Sequence, residues 1–385
     1  MTLIKQAPML TRRRLLQVTG AGVAMTGLGL HPARAAGYDR PFTWISPRGT
    51  LEVLDDYAYW VAVKNGYFGD LPIDIQPGPS DGTATVKFVD VGQADMGFPS
   101  PGVFSFALNQ GMKLKSVFHE AARDTFSLAF RKGEGPKDIK GIEGKTILLG
   151  SAAWQPIVDP MLAAQGVDIS TIKYVEAGWP TWGTALAGGQ GDAALAWEGL
   201  RAEWIANDLA FEYWLGVQNS PLPANTFVVR AADLEDADKK AVMAQYLKGW
   251  AMGLEFAEHN PRAAVQAVFD QFPTLASNVG PELGTTSILQ QMNVFRGDWD
   301  KRQGWGWHDM ASWQTFFDLT AKIGQTTAMN AADVCTNDLI PAANEFDAAK
   351  VKADAEAATL TPEMAAIDVD QIRAGMFSQA IGAAG

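Results

Sequence analysis

Short apolar runs alternate with segments of helical apolar spacing over the first 230 residues of the chain. In the first part, strands are predicted at 41–47, 71–76, 94–98 and 114–119, and helices at 57–63, 83–91 and 101–110. After a linker at 131–137, strands are predicted at 145–149, 173–176, 192–197 and 225–230, and helices at 156–165 and 180–187. Helical patterns such as 239–259 and 310–323 dominate the remainder. This alternation predicts an α/β fold in which helices cover parallel strands.

One internal repeat supports two units of like topology. The segment Gly92-Gln93-Ala94-Asp95 is similar to Gly189-Gln190-Gly191-Asp192, which lies 97 residues further along the chain. Each segment leads from a predicted helix into a short apolar strand. A coincidence of two glycine-rich turns is the alternative, but the strand and helix order around both segments favours a duplicated unit.

The N-terminal segment has the features of an export signal. Residues 1–35 carry five basic residues and no acidic one, a glycine-rich apolar stretch at 18–30, and Ala33-Arg34-Ala35 as a cleavage site. Thr11-Arg12-Arg13-Arg14 resembles the twin-arginine export motif, and an uncleaved amphipathic start is the alternative. Cleavage after Ala35 is predicted to give a periplasmic protein and to change the formal net charge from −12 to −17.

Composition excludes several classes of protein. An excess of 43 acidic over 31 basic residues argues against nucleic-acid binding, which needs clustered positive charge. The single cysteine, Cys335, excludes an intramolecular disulfide and a zinc finger, and the four histidines lie far apart. The sequence lacks the glycine-rich nucleotide-binding motifs, the serine-hydrolase elbow and the H-E-x-x-H zinc motif. We therefore expect no cofactor, no metal and no catalytic residue.

Five short segments together resemble a known family. In chain order they are Lys64-Asn65-Gly66-Tyr67-Phe68, Gly92-Gln93-Ala94-Asp95-Met96-Gly97, DIKGIEGK at 138–145, LAGGQGDA at 186–193 and Thr336-Asn337-Asp338. Their order and spacing resemble the nitrate/sulfonate/taurine-type substrate-binding proteins of ABC importers, which include binders of thiamine-pyrimidine precursors. The resemblance covers residues 44–223 and, more loosely, the helical tail.

The resemblance implies a two-lobed periplasmic-binding-protein fold of type II. Each lobe would be a mixed sheet flanked by helices, with the ligand between the lobes. Lobe one would comprise residues 37–128 and 226–385, and lobe two residues 129–225, with strands near 126–131 and 222–230 crossing between them. The implied function is capture of a small solute by lobe closure and its delivery to a permease in the inner membrane and that permease's ATPase. The protein would act as a monomer.

Candidate ligand-binding residues follow from the predicted strand ends, because ligands of open α/β sheets bind beyond the carboxyl ends of the strands. These positions are Trp44, Ser46, Phe98, Ser100, Ser151, Trp154, Trp179, Trp182, Trp197 and Glu198. The chain has thirteen tryptophans against seven tyrosines, and several of these tryptophans fall at strand ends. Their convergence predicts a stacking surface for a flat or cationic ligand, although each tryptophan alone could be a core residue.

Two ligand classes stay open. A heterocycle such as a thiamine-related pyrimidine suits the tryptophans, and Glu198 could accept hydrogen bonds from its amine groups. A small organic anion such as a sulfonate suits Ser100 and Ser151, which precede predicted helices, although serine there is also an ordinary helix cap. The Trp305-Gly306-Trp307-His308-Asp309 segment is a candidate cleft edge, and Asp309 could instead cap the next helix. An exported enzyme of the same fold, acting on a pyrimidine-like or aromatic substrate, is the alternative to a binding protein.

Overall fold

The computed structural model describes residues 40–79 and 83–381, so the predicted export signal lies outside the described residues. The strands are β1 Phe42–Ile45, β2 Ile73–Gln76, β3 Met96–Gly97, β4 Leu114–Phe118, β5 Phe126–Arg131, β6 Thr146–Leu149, β7 Lys173–Glu176, β8 Ala193–Trp197, β9 Phe211–Leu215 and β10 Phe227–Arg230.

Helices follow most of the strands and make up the C-terminal third. They are α1 Tyr57–Asn65, α2 Thr83–Asp90, α3 Pro101–Asn109, α4 Gln155–Ala163, α5 Trp182–Ala187, α6 Leu200–Ala206, α7 Gly216–Asn219, α8 Ala237–His259, α9 Pro261–Gln271, α10 Pro273–Arg296, α11 Met310–Lys322, α12 Ala331–Val334, α13 Ile340–Ala343, α14 Ala348–Glu356, α15 Pro362–Ala365 and α16 Val369–Ala374. Helix α10 bends at Gly280, whose φ of 73° is non-helical and precedes Pro281. No helix among the described residues is long and apolar enough to cross a membrane.

The strands form two five-stranded mixed sheets with one shared topology. The first sheet has the order β2-β1-β3-β10-β4, and the second has the order β7-β6-β8-β5-β9. In each sheet four strands run in one direction, and the remaining strand, β10 or β5, is antiparallel to both of its neighbours. The mixed α/β fold with helices flanking each sheet is therefore confirmed, whereas the purely parallel pairing expected from the strand–helix rhythm is wrong for β5 and β10. Consecutive strands become parallel neighbours when a crossover connection brings the chain back to the end of the sheet where the first strand began. Strands β5 and β10 instead enter from the other sheet.

Equivalent hydrogen bonds hold the repeated segments in both sheets. The carboxylate of Asp95 accepts from the N–H of Thr43 at 2.8 Å, and Asp192 accepts from the N–H of Thr146 at 2.8 Å. In return, the N–H of each aspartate donates to the carbonyl of the same threonine at 2.9 Å. The two Gly-Gln-x-Asp segments thus fix the strand that follows them to a parallel neighbour, β3 to β1 and β8 to β6.

The antiparallel strands also end alike. Arg230 closes β10 and donates from Nη1 to the carbonyls of Val89 and Ala94, at 2.7 and 3.1 Å. Arg131 closes β5 and donates from Nη1 to the carbonyls of Leu186 and Gly191, at 2.9 and 2.6 Å. Val89 and Leu186 lie 97 residues apart, as do Ala94 and Gly191, and 97 residues is the spacing of the repeat. The internal repeat is thus a repeat of structure.

Candidate functional site

A cavity opens between the two sheets, at the carboxyl ends of their parallel strands, with about 840 Å³ of atom-free space that includes open solvent at its mouth. From the first-sheet side it is lined by the loops after β1 and β3, with Arg48, Asp55, Phe98 and Ser100. From the second-sheet side it is lined by Trp154, Trp179, Leu195, Trp197 and Glu198. The connections between the sheets contribute Thr125, Phe126 and Asn225, and helix α10 contributes Gln291 and Phe295. Most of this lining is apolar and aromatic, as is usual for small-molecule sites.

Four tryptophans beside the second sheet form one cluster. The rings of Trp179, Trp182 and Trp197 are nearly parallel, with centroids 4.9 to 5.9 Å apart and interplanar angles of 9° to 26°. Trp154 stands roughly perpendicular to all three, at 5.8 to 6.0 Å. Trp154, Trp179 and Trp197 line the cavity. Together they form an aromatic wall on which a flat ligand can stack.

The wall is held from behind by Trp182, which is buried and does not line the cavity. Its indole N–H donates to the carbonyl of Leu195 at 2.7 Å, which ties the ring to β8. A side chain at Gly150 would also disturb the wall, since a Cβ there would lie 2.6 Å from the ring of Trp154. The sequence suggested that Trp182 contacts the ligand. In the structure Trp182 instead packs behind Trp179 and Trp197, because α5 turns its ring towards the core.

Trp44 likewise lies in the core and not at the cavity. Its side chain is fully buried and packs against Phe98, Phe227 and Trp250, with ring centroids 5.4 to 6.1 Å away. The reason is that helix α8 covers this face of the first sheet, so that a side chain on β1 points into a closed layer. The stacking role expected for Trp44 has no geometric support.

The three candidate serines have local structural roles. The hydroxyl of Ser100 accepts from the N–H of Val103 and caps α3, and Ser100 also lines the cavity. The hydroxyl of Ser151 accepts from the N–H of Ala153 in a short 3₁₀ turn, and Ser46 accepts from the N–H of Arg48. Ser46 and Ser151 are not among the lining residues.

Five charged groups cluster beside the cavity: Arg48, Asp55, Asp56 and Glu120 on the first-sheet side, and Glu203 from α6, which follows β8 of the second sheet. Arg48 forms an ion pair with Asp56, and its Nη1 lies 3.7 Å from Oδ1 of Asp55. Burial raises the pKa of Asp55 and of Glu120, and it raises the pKa of Glu203 to about 8. Arg48 opposes this rise at all three, because its positive charge favours the ionised carboxylate. One guanidinium thus serves four carboxylates.

Asp55 connects this charge cluster with the aromatic wall. The indole N–H of Trp197 donates to Oδ1 of Asp55 at 3.1 Å, so that a loop beside the first sheet contacts the end of β8. Asp55 is 8% exposed and lines the cavity.

Glu198 has an internal partner. Arg201 donates from Nε to Oε1 at 3.1 Å and from Nη2 to Oε2 at 2.7 Å, and both side chains are buried. Burial raises the pKa of Glu198, and the charge of Arg201 opposes that rise. Both oxygens of Glu198 therefore accept from Arg201, one helical turn further along the chain, which takes the place expected for a ligand amine.

Two side-chain amides in the cavity wall have acceptor oxygens without a partner. Oε1 of Gln291, a residue that is 1% exposed, and Oδ1 of Asn225 accept no hydrogen bond in the structure. Gly199 allows Gln291 to approach, because its φ of 91° suits glycine and a Cβ there would lie 2.5 Å from Nε2 of Gln291. A buried acceptor without a donor is costly, so these oxygens are suited to a donor on a ligand.

The aromatic segment after α10 lies away from the cavity. The indole N–H of Trp305 donates to Glu255 at 3.0 Å, and Asp309 caps α11. His308 is buried and contacts Ser116 at 2.5 Å and Asn337 at 2.9 Å. These residues are not among those that line the cavity. Of the described residues, no group of three or more histidine, cysteine or carboxylate side chains could hold a metal ion.

Sequence reasoning identified the strand ends but missed several lining residues. Phe98, Ser100, Trp154, Trp179, Trp197 and Glu198 were expected and line the cavity, whereas Arg48, Asp55, Asn225 and Gln291 were not expected. Asp55 was not expected because adjacent acids before a helix, such as Asp55 and Asp56, indicate only where the helix begins. Gln291 has no local signal, because it belongs to a long helix far along the chain.

Comparison with known proteins agrees with the topology. A model of the family described as NMT1/THI5 like matches residues 55–264. The resemblance to nitrate/sulfonate/taurine-type substrate-binding proteins is thereby confirmed. No curated protein matches the chain significantly.

Solved structures share the fold at low sequence identity. A protein from Bordetella bronchiseptica RB50 has a TM-score of 0.60 at 15% identity, covering 79% of this chain and 97% of that one. The alkanesulfonate-binding protein SsuA from Xanthomonas axonopodis pv. citri, bound to MOPS, has a TM-score of 0.60 at 13% identity, covering 77% and 98%. The periplasmic nitrate-binding protein NrtA from Synechocystis PCC 6803 has a TM-score of 0.56 at 12% identity, covering 88% and 97%. At these identities the comparison establishes the periplasmic-binding-protein fold.

Proposed function

The chain belongs to the NMT1/THI5-like family, and from this premise we propose that it is an extracytoplasmic substrate-binding protein of an ABC importer that captures a flat aromatic or heterocyclic solute. The observation that carries the proposal is the wall formed by Trp154, Trp179 and Trp197 in a cavity between two sheets. Stacking on such rings contributes binding energy to any planar solute of matching size.

The same cavity gives little support to a small organic anion. At the 3₁₀ turn after Ser151, the N–H of Ala152 donates to Glu176 at 3.2 Å and the N–H of Ala153 donates to Ser151. At α3, the N–H of Val103 is taken by Ser100. Helix N-termini bind anions through free N–H groups, and these groups already have acceptors.

The two positive charges near the cavity are also neutralised within the protein. Arg48 is paired with Asp56, and Arg201 is paired with both oxygens of Glu198. A sulfonate or nitrate would have to displace one of these buried carboxylates, which costs more than it returns. The aromatic ligand class is therefore favoured over the anionic class.

Capture would proceed by closure of two lobes. We assign lobe one to residues 37–128 and 226–385 and lobe two to residues 129–225, joined by the connections that precede β5 and β10. A ligand that contacts both sheets stabilises the closed arrangement over the open one. The bond from Trp197 to Asp55 is one contact between the two sides that closure would form.

Delivery would follow the usual route of such proteins. The closed, monomeric form would dock on a permease in the inner membrane, whose ATPase drives import. The twin-arginine-like segment at 1–35 would direct the folded protein to the periplasm before cleavage.

One arrangement could suggest an enzyme, since His308 lies 2.5 Å from the hydroxyl of Ser116 and 2.9 Å from Asn337. Ser116 is fully buried, however, and its hydroxyl also contacts Thr226. No substrate could reach it, and the described lining of the cavity contains no histidine or cysteine. This contact network has a structural role, and binding without turnover is favoured.

A thermal-shift screen tests the proposed function. Panels of planar heterocycles, aromatic acids, alkylsulfonates and nitrate would be added to the mature protein, and we expect planar aromatic solutes to raise Tm. For a solute that does so, Trp179→Ala should weaken affinity about tenfold or more, because a stacking face is lost.

Trp299→Ala is the matched control, because Trp299 is half-buried and is not among the lining residues. Its affinity should equal that of the wild type. A response confined to nitrate or alkylsulfonates, or an unchanged affinity in Trp179→Ala, would contradict aromatic capture.

A further inference from the structure

The hydrogen-bonding groups of the cavity wall are unevenly distributed. The acceptors Gln291 Oε1 and Asn225 Oδ1 have no donor in the structure. For Asp55, the bond from Trp197 and the ion pair with Arg48 both fall on Oδ1. Asp55 also lines the cavity, so its carboxylate adds a charged acceptor to these two amide oxygens. Three acceptors around one cavity are complementary to a solute rich in N–H donors.

The charge around this wall is also uneven. Asp55, Asp56, Glu120 and Glu203 share the single guanidinium of Arg48, and Arg48 is engaged by Asp56. A buried carboxylate is stabilised in its ionised form by a nearby positive charge. A cation delivered by a solute to Asp55 would supply such a charge.

The aromatic wall adds a second attraction for positive charge. Trp197 holds Asp55 through its indole N–H, so the carboxylate lies at the edge of an indole ring that lines the cavity together with Trp179. The negative face of an indole ring attracts a cation, and the attraction is largest where water is excluded. A planar cation can therefore stack on the wall and reach the carboxylate at once.

We infer that the solute carries a planar nitrogen cation, of amidinium or protonated aminoheterocycle type, whose N–H groups donate to Asp55 while its plane stacks against Trp179 and Trp197. Gln291 and Asn225 accept the remaining N–H groups. This inference rests on the proposed function and specifies the charge and hydrogen-bonding pattern of its solute.

Three probes of nearly equal size and shape test the charge. Benzamidine, benzamide and benzoate are planar and differ in carrying one positive charge, no charge and one negative charge. Their dissociation constants would be measured near neutral pH by isothermal titration on the mature chain. We expect benzamidine to bind at least about tenfold more tightly than benzamide and benzoate to bind most weakly, because a charge-assisted hydrogen bond to a buried carboxylate is worth about that factor.

Variants then assign the preference to the site. Asp55→Asn should remove the preference of the protein for benzamidine over benzamide, whereas Asp300→Asn, which removes an equal charge at an exposed residue outside the cavity lining, should retain it. Gln291→Met provides a second variant that leaves the charge cluster intact. It should weaken benzamidine binding severalfold and leave benzoate unchanged.

The outcomes separate the two proposals. Equal binding of all three probes, or tightest binding of benzoate, would overturn the cation inference and leave aromatic capture standing. Retention of the benzamidine preference in folded Asp55→Asn would also overturn it. If none of the probes bound at about 10 mM, far above the weakest specific affinities expected, aromatic capture itself would fail.

Discussion

The two sheets of this protein share one backbone plan but carry different side chains at the cavity. Both use an aspartate to fix the strand after the repeated segment, and both close their antiparallel strand with an arginine that bridges two carbonyls. Position 100 lies just beyond β3, and position 197, which is 97 residues further along the chain, is the last residue of β8. At the first position Ser100 caps a helix, and at the second Trp197 forms part of the aromatic wall.

This difference indicates which parts of such a fold determine ligand specificity. Backbone pairing and the hydrogen bonds of these aspartates and arginines maintain the two sheets, and these contacts recur at equivalent positions. Binding chemistry resides in the side chains beyond the strand ends, and there the halves have diverged. At the cavity the first side contributes Arg48 and Asp55, and the second side contributes the tryptophans together with Glu198.

The largest expected difference is in stability, between replacing a core tryptophan and replacing a cavity tryptophan. Trp44→Ala should lower the free energy of unfolding by about 4 kcal/mol, since it empties a fully buried site between Phe98 and Trp250. Trp197→Ala should cost about 1 kcal/mol, because that ring is only half-buried.

Urea unfolding of both variants measures the change in unfolding free energy, and a binding assay measures their affinity for the identified solute. Trp197→Ala should lose affinity while remaining folded. Equal destabilisation by the two substitutions would contradict the division into core and cavity residues.

A smaller effect is expected at the two equivalent aspartates. Asp95 is 2% exposed and pairs with Arg40, so Asp95→Ala should lower the free energy of unfolding by about 3 kcal/mol. The side chain of Asp192 is 41% exposed, so Asp192→Ala should remove one partly solvated hydrogen bond and cost about 1 kcal/mol.

Chemical denaturation of the two variants would measure this difference. If the costs were equal, the shared bond to the strand N–H would dominate and burial would matter little. A larger cost at Asp192 would contradict the argument.

The smallest expected effect is on the pH dependence of the unfolding free energy. It concerns only the half that contains the first sheet, since residues 129–225 contain no histidine. Burial lowers the pKa of His308 to about 3, while an unfolded histidine titrates near 6.5. Between these values the unfolded chain binds a proton that the folded chain does not. The stabilisation is therefore complete above about pH 6.5 and is lost as the pH falls towards 3.

We expect the decline in unfolding free energy from pH 7.5 to 5.5 to be smaller by about 1 kcal/mol in His308→Gln than in the wild type. His259→Gln is the control, because His259 is partly exposed on α8 and pairs with Glu255. A decline unchanged in His308→Gln would show that this histidine is not buried in its neutral form.

Much of the local structure could be predicted from the sequence. Strand β7 at Lys173–Glu176 has the predicted bounds, and helix α8 at Ala237–His259 begins two residues before the predicted start. Apolar periodicity and turn residues act locally, which is why such elements are accessible to pattern reasoning. Strand β9 at Phe211–Leu215 was not predicted, although Asn207-Asp208 stands before it as a turn signal.

The sequence by itself determined the order of strands and helices, the repeated segment and the family. It also placed aromatic residues at the strand ends, because strand ends and turn residues are local features. Only the tertiary structure decided which tryptophans face the cavity, since that depends on whether a distant helix covers them, as α8 covers Trp44. It alone brought together Asp55, Asn225 and Gln291, which are separated by more than sixty residues of chain. Their chemistry as a site depends on through-space distance, burial and the absence of a donor, none of which has a local signature.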